Sequence, residues 1–375
     1  MEVSPGYQEE RRRIADLIMA GGSDNFSLSG PKHLNSIDWN NAHHRRSVAA
    51  SLVEGVYVLE ADRQANRRDS QSLAPPWWEF FHFKLIRQLV DDADHCIFGA
   101  IFEYKPPKYA NYRKDSTGRS PRYVIAFRGT LIKLDSFARD LQLDIQIIRN
   151  GLHQTTRFGI AMKAVRDKVA EVGDSNVWLT GHSLGAAMAM LAGKTMARTG
   201  KFLEAFLFNP PFFSAPIERI KDKKVKHGLR FAGSVITAGL AIASATKGKY
   251  NNASNNGNGY EENLFSVISG WIPCLFVNQA DHICSEYIGY FEHRKKMEEI
   301  GAGAIARFAS QHSLGGLVMN MMGVQGVETA EPLHLLPSAN LTVNLNPSKD
   351  FMGAHVLCQW WRPDLNLNCG VYKYK

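Results

Sequence analysis

The feature that most constrains the fold is the pentapeptide Gly181-His182-Ser183-Leu184-Gly185, which lies between a strand-like and a helix-like segment. Residues 176–180 read as a buried strand, and residues 186–192 are strong helix formers. A serine between such elements sits on a strained turn that presents its hydroxyl, and the flanking glycines let strand and helix approach closely. The bare pattern also arises by chance, but this setting favours a nucleophilic serine over an ordinary glycine turn.

Strand-like and helix-like segments alternate along much of the chain. The segments predicted as strands are residues 96–104, 123–127, 177–180, 203–208, 273–277 and 341–345. An amphipathic helix precedes the serine motif and carries Phe158, Ala161, Met162, Val165 and Val169. This alternation predicts an α/β fold whose mainly parallel central sheet has helices on both faces.

Outside this alternation we predict an N-terminal extension and a cap. Val48, Leu52, Val56 and Leu59 recur at helical spacing, and the aromatic-rich residues 77–90 are predicted to be a further helix. We therefore expect residues 1–95 to form a helical extension packed on a core of residues 96–375. Insertions around residues 212–270 and 296–335 interrupt the core and are expected to form a helical cap.

The cap region combines basic and apolar segments. A lysine-rich run at residues 221–226 precedes an apolar stretch at 231–245, and a second apolar stretch covers residues 302–324. Ordinary packing helices of a cap would explain this pattern. A segment that gates the substrate or touches an anionic membrane surface would explain it as well.

Composition excludes several classes of protein. The net charge of +8 favours anionic partners, but the chain shows no zinc-finger spacing and no RNA-binding aromatic signature, so we expect no nucleic-acid partner. Five cysteines without CxxC spacing indicate reduced thiols. The first residues contain no apolar core of a secretory signal, and no apolar run is long enough to span a bilayer. These features together predict a cytoplasmic protein.

A nucleophilic serine needs a histidine that accepts its proton and an acid that orients the histidine. In this kind of fold the acid follows the serine in the chain, and the histidine follows the acid. Asp281 meets the condition because it comes shortly after the strand at residues 273–277, at the carboxyl edge of the sheet. The weaker rival acids are Asp222, Asp350 and Asp364.

The histidine is not decided by the sequence. His355 is favoured because it follows the last predicted strand and a loop, and His334 remains the alternative. The remaining histidines after Asp281 fit less well: His282 adjoins the acid, His293 lies in a basic helical run, and His312 lies in the cap.

The developing oxyanion needs hydrogen-bond donors near the serine. One is expected to be the backbone N–H of Leu184, and the other should come from Arg128-Gly129-Thr130, where Thr130 could add a hydroxyl donor. A simple strand-ending turn is the alternative for that loop. Gly173-Asp174-Ser175 matches a motif of a different esterase class, but we interpret it as a helix-ending turn.

Three segments resemble the class 3 (fungal-type) lipase family of α/β-hydrolases, especially its plant branch. They are residues 126–130 with Asp140-Leu141, residues 177–185, and residues 277–283. The resemblance implies an α/β-hydrolase fold and a cofactor-free carboxylic ester hydrolase acting on acylglycerol, phospholipid or galactolipid esters. It also implies Ser183 as nucleophile, Asp281 as acid, His355 as base, and Thr130 with Leu184 as the oxyanion hole.

Two alternatives to hydrolysis remain open at this point. The family also includes lipase-like signalling proteins whose triads are lost or unused, so a non-catalytic binding module is one. An acyltransferase that uses the same triad is the other. The sequence leaves the oligomeric state undetermined.

Overall fold

Eight strands form one mixed sheet in the part of the chain that a computed structural model describes, residues 24–107, 119–130, 155–212, 267–301, 334–348 and 350–374. They lie side by side in chain order: β1 Phe83–Val90, β2 Ile97–Tyr104, β3 Tyr123–Phe127, β4 Val177–His182, β5 Glu204–Phe208, β6 Cys274–Asn278, β7 Ala339–Asn344 and β8 Leu367–Tyr372. The strands from β3 to β7 are parallel, and β1, β2 and β8 pair antiparallel at the two sides.

The described α-helices are α1 Phe26–Ser29, α2 Ala42–Gln64, α3 Pro76–Glu79, α4 Thr156–Val172, α5 Leu184–Ala197, α6 Glu286–Glu299 and α7 Phe351–His355. The longest, α2, begins where the Asn41 side chain accepts hydrogen bonds from the backbone N–H groups of His43 and His44. No helix among these residues combines the length and the apolar character that crossing a membrane requires.

Helices cover both faces of the sheet, as predicted. Along β3, Ile125 and Phe127 belong to one apolar cluster, which includes residues of α4, α5 and α6. Val124 and Ala126 belong to the opposite cluster, which includes residues of α2 and of the 3₁₀-helix Leu357–Trp361. Side chains of one strand alternate between two cores in this way because successive residues of a strand point to opposite faces.

The prediction of a helix over residues 77–90 was wrong. Only the short α3 is helical there, and β1 follows it as an outer strand of the sheet. His82 joins the two with a φ of 61°, a left-handed conformation that turns the chain between them. Register shifts between Leu85 and Arg87 and between Leu89 and Val90 interrupt the period-two pattern that would have identified a strand.

The predicted cap segments at residues 221–226, 231–245 and 302–324 lie outside the described residues, as does Asp140. The division into an extension at residues 1–95 and a core at 96–375 stays a prediction.

Candidate active site

Ser183 stands on the tight turn between β4 and α5. Its φ of 55° and ψ of −124° are strained for a residue with a side chain. The flanking glycines are needed at this point, because a Cβ on Gly185 would lie 2.3 Å from the carbonyl oxygen of Phe127, and one on Gly181 would lie 2.3 Å from that of Gly185. The motif therefore has the strand–turn–helix setting that the sequence predicted.

Asp281 and His355 are joined by a hydrogen bond. Asp281 follows β6 and is fully buried, and His355 is the last residue of α7 and is also buried. The distance from His355 Nδ1 to Asp281 Oδ2 is 2.8 Å, and Asp281 Oδ1 accepts the backbone N–H of Ile283 at 3.0 Å. Because the carboxylate accepts, Nδ1 carries the proton, which leaves Nε2 of a neutral ring as a base.

The surroundings of Asp281 keep its carboxylate charged. Burial opposes ionisation, but electrostatic attraction by the His355 ring and the hydrogen bonds from His355, Asn209 and the backbone of Ile283 outweigh it, and the pKa of Asp281 lies below its usual value. The Asn209 amide donates to Oδ2 at 2.6 Å and is itself oriented by Trp360 Nε1, which donates to Asn209 Oδ1 at 2.7 Å.

Cys284 also faces this carboxylate, with its Sγ 3.2 Å from Asp281 Oδ2. Burial and the neighbouring negative charge raise the pKa of the Cys284 thiol well above its usual value. The sulfur therefore stays protonated and acts as a further donor to the acid.

The structure brings one of the two candidate histidines to Asp281. That residue is His355, whereas the His334 ring lies against Phe212 with 4.5 Å between ring centroids. The rival acids are placed elsewhere: Asp350 caps the first turn of α7, Asp364 is exposed, and Asp222 lies outside the described residues.

The loop after β3 runs beside Ser183. A Cβ on Gly129 would lie 3.0 Å from the Cβ of Ser183. Arg128 is buried and fixes the loop, since its Nε donates to the carbonyl of Ile97 at 2.6 Å and its guanidinium to the carbonyl of Gly129 at 2.6 Å. Thr130 follows as an exposed residue, and Leu184 begins α5, where backbone N–H groups have no partner within the helix.

Comparison with known proteins shows the family of the chain. Residues 124–227 match the family described as Lipase (class 3). A protein of Arabidopsis thaliana named GDSL esterase/lipase At4g10955 is 58% identical over 359 residues, which cover 96% of this chain and 100% of that protein. The chain belongs to the class 3 lipase family.

This class 3 lipase is thus a carboxylic ester hydrolase with an α/β-hydrolase fold, as the sequence predicted. Its likeness to solved structures is distant. A lipase from Rhizopus microsporus var. chinensis is 14% identical with a TM-score of 0.30, covering 64% of this chain and 67% of that chain. An esterase from Pseudomonas putida is 13% identical with a TM-score of 0.29, covering 78% and 84%.

Ser175, in the Gly-Asp-Ser motif of this lipase, lies at the opposite end of β4 from Ser183. Gly173 ends α4 with a φ of 83°, and Asp174–Asn176 form a short 3₁₀-turn before the strand. Ser175 is exposed there. The motif is a helix-ending turn, as predicted.

Two residues that contact the site, Asn209 and Tyr57, were not predicted from the sequence. Asn209 directly follows β5, and its position at the carboxyl edge of the sheet could have indicated it. Tyr57 contacts the loop after β3 from the middle of α2, with its hydroxyl oxygen 2.7 Å from the backbone nitrogen of Gly129. No spacing in the sequence links residues so far apart.

One group of metal-type ligands occurs among the described residues, formed by Asp91, Asp94 and Cys96. The Arg157 guanidinium pairs with both carboxylates, so a cation already neutralises the group.

Proposed function

We propose that this lipase cleaves lipid esters through an acyl-enzyme on Ser183, with His355 as base, Asp281 as acid, and Thr130 with Leu184 as oxyanion donors. The observation that carries the proposal is the buried hydrogen bond between Asp281 and His355. Both residues follow neighbouring parallel strands whose carboxyl ends share one edge of the sheet with the turn that bears Ser183.

In the first half-reaction, His355 Nε2 takes the proton of the Ser183 hydroxyl as Oγ attacks the ester carbonyl carbon. The tetrahedral oxyanion is stabilised by donors from Leu184 and Thr130. The bond to the leaving alcohol then breaks, and His355 returns its proton to the alkoxide. In the second half-reaction a water molecule, deprotonated by His355, attacks the acyl carbon. The bond to Ser183 Oγ then breaks, and His355 returns the proton to this oxygen as the carboxylic acid leaves.

The electrostatics around Asp281 support this role. During the reaction His355 becomes an imidazolium, and a carboxylate that stays charged in a buried position stabilises that cation more strongly than it could in water. Donors from Asn209 and Cys284 hold the carboxylate in place, so its orientation toward His355 is set before the substrate binds.

We further propose acylglycerol, phospholipid or galactolipid esters as the substrate class, met at an anionic membrane surface by a cytoplasmic enzyme. The net charge of +8 favours contact with anionic headgroups. All five cysteines are free, which supports a reducing compartment.

Turnover of short- and long-chain p-nitrophenyl esters tests the chemistry. Ser183→Ala is expected to lower kcat by at least roughly 10³-fold, and Asp281→Asn by roughly 10³- to 10⁴-fold, because an amide cannot hold the reactive histidine tautomer. Asp364→Asn, at an exposed carboxylate, is the matched control and should retain wild-type activity. Activity retained in Ser183→Ala would contradict the proposal.

A further inference from the structure

Tyr57 places a buried hydroxyl between two segments of the proposed site. The residue lies in the middle of α2 and is 5% exposed. Its hydroxyl oxygen is 2.7 Å from the backbone nitrogen of Gly129 and 2.9 Å from Nδ1 of His182, the residue before Ser183. Burial raises the pKa of Tyr57, so the hydroxyl keeps its proton.

The direction of each hydrogen bond follows from the donors available. The N–H of Gly129 donates to the Tyr57 oxygen, so the Tyr57 proton is directed to Nδ1 of His182. His182 then carries its own proton on Nε2 and donates it to the backbone carbonyl of His355 at 2.8 Å. Burial, and to a lesser extent electrostatic repulsion from the His355 ring, lower the pKa of His182 to about 3, which keeps the His182 ring neutral and the hydrogen-bond directions fixed.

This chain of three hydrogen bonds connects the loop beside Ser183, the residue before Ser183 and the segment that carries His355. It begins at Gly129 in the loop after β3, passes through Tyr57 and His182, and ends at the backbone of His355. The Tyr57 side chain comes from α2, which lies outside the residues that match the class 3 family. A helix from outside the matched region thus joins the loop that carries Thr130 to the segment that carries His355.

We propose that Tyr57 is a positioning residue of this lipase, whose hydroxyl fixes the distance between the oxyanion loop and the His355 segment. The inference rests on the proposed function, because it concerns how the proposed groups are held. The Tyr57 hydroxyl binds Gly129 and His182 and does not bind the ester. It therefore acts by holding in place the groups that stabilise the transition state.

Loss of the hydroxyl should affect kcat more than KM. Without it, the Gly129 N–H and His182 Nδ1 lose a buried partner, and both segments can shift. Small displacements of groups that act in the transition state cost up to about 100-fold in rate, whereas binding of the acyl chain depends on other contacts. Tyr57→Phe is therefore expected to lower kcat roughly 10- to 100-fold and to change KM less than about twofold.

The experiment compares Tyr57→Phe with Tyr123→Phe, using p-nitrophenyl ester kinetics at a temperature where circular dichroism shows that both variants are folded. Tyr123 is the matched control because it is also buried, and its hydroxyl bonds Glu171 near the start of β3, away from Ser183. A selective loss of kcat in Tyr57→Phe supports the inference. Unchanged kcat, or equal losses in the two variants, overturns it.

A double-mutant cycle with His182→Gln tests whether Tyr57 acts through the hydrogen-bond chain. If it does, Tyr57→Phe should cost much less kcat in the His182→Gln background than in the wild type, whereas independent effects would multiply. Multiplying effects would contradict the proposed route. If the wild type is active and Ser183→Ala is inactive, the proposed function holds even where the Tyr57→Phe result contradicts the inference about Tyr57. An inactive wild-type enzyme overturns both the proposed function and this inference.

Discussion

Two buried titratable side chains of the candidate site differ in charge, although both have lost their titratable proton. Asp281 stays charged because several donors compensate for the lost water, whereas His182 stays neutral because burial and the neighbouring His355 ring disfavour a positive charge there. Each state suits the hydrogen bonds made there. A charged acid can accept from His355, and a neutral His182 can accept from Tyr57 while it donates to the His355 carbonyl.

These two states predict a loss of stability in acid. The folded-state pKa of His182 is about 3 against an ordinary 6.5, so the unfolded chain binds the extra proton first and stability falls as pH drops below about 6.5. The depressed pKa of Asp281 adds stability that is present above its unfolded-state pKa and is lost as pH falls through the folded-state value.

Melting temperatures at about pH 8 and about pH 5 check this prediction. The wild type should melt at a lower temperature at pH 5, and His182→Gln, which has no titrating ring, should show a smaller decrease. His293→Gln, on the partly exposed side of α6, serves as the control and should behave like the wild type. An undiminished decrease in His182→Gln would show that His182 does not contribute to the acid sensitivity.

At the level of elements, the sequence predicted the central strands within about two residues. The strands β3 to β6 are apolar runs with helix on both faces, and this pattern is clear in a single sequence. The sequence did not predict β1 and β8, which lie at the two edges of the sheet and have several exposed residues. Edge strands bury too few side chains to leave a clear periodic signal.

Glycines in two helices provide a test of element packing. A Cβ on Gly193 in α5 would lie 2.2 Å from the buried ring of Trp271, so Gly193→Ala should lower the free energy of unfolding by about 1–3 kcal/mol. Gly159 in α4 is exposed and has open space around it, so Gly159→Ala should raise that free energy by up to ~1 kcal/mol. Urea unfolding measures both, and equal effects of the same sign would contradict the packing described.

At the scale of the whole molecule, the candidate site is assembled from segments that are distant in the chain. Chain order and the carboxyl edge of the sheet predicted Ser183 and Asp281, because each follows a recognisable strand. The choice between His334 and His355 needed three-dimensional placement. Tyr57 could not be predicted, because its contact with Gly129 spans 72 residues and joins a helix to a loop after a strand.

The central claim is that His355 activates Ser183, and labelling with a fluorophosphonate probe tests it most directly. The modified peptide is located by mass spectrometry in the wild type, in His355→Ala and in His334→Ala. We expect labelling at Ser183 in the wild type and in His334→Ala, and its loss in His355→Ala. Labelling that is lost only in His334→Ala, or an unlabelled wild type, would contradict the account.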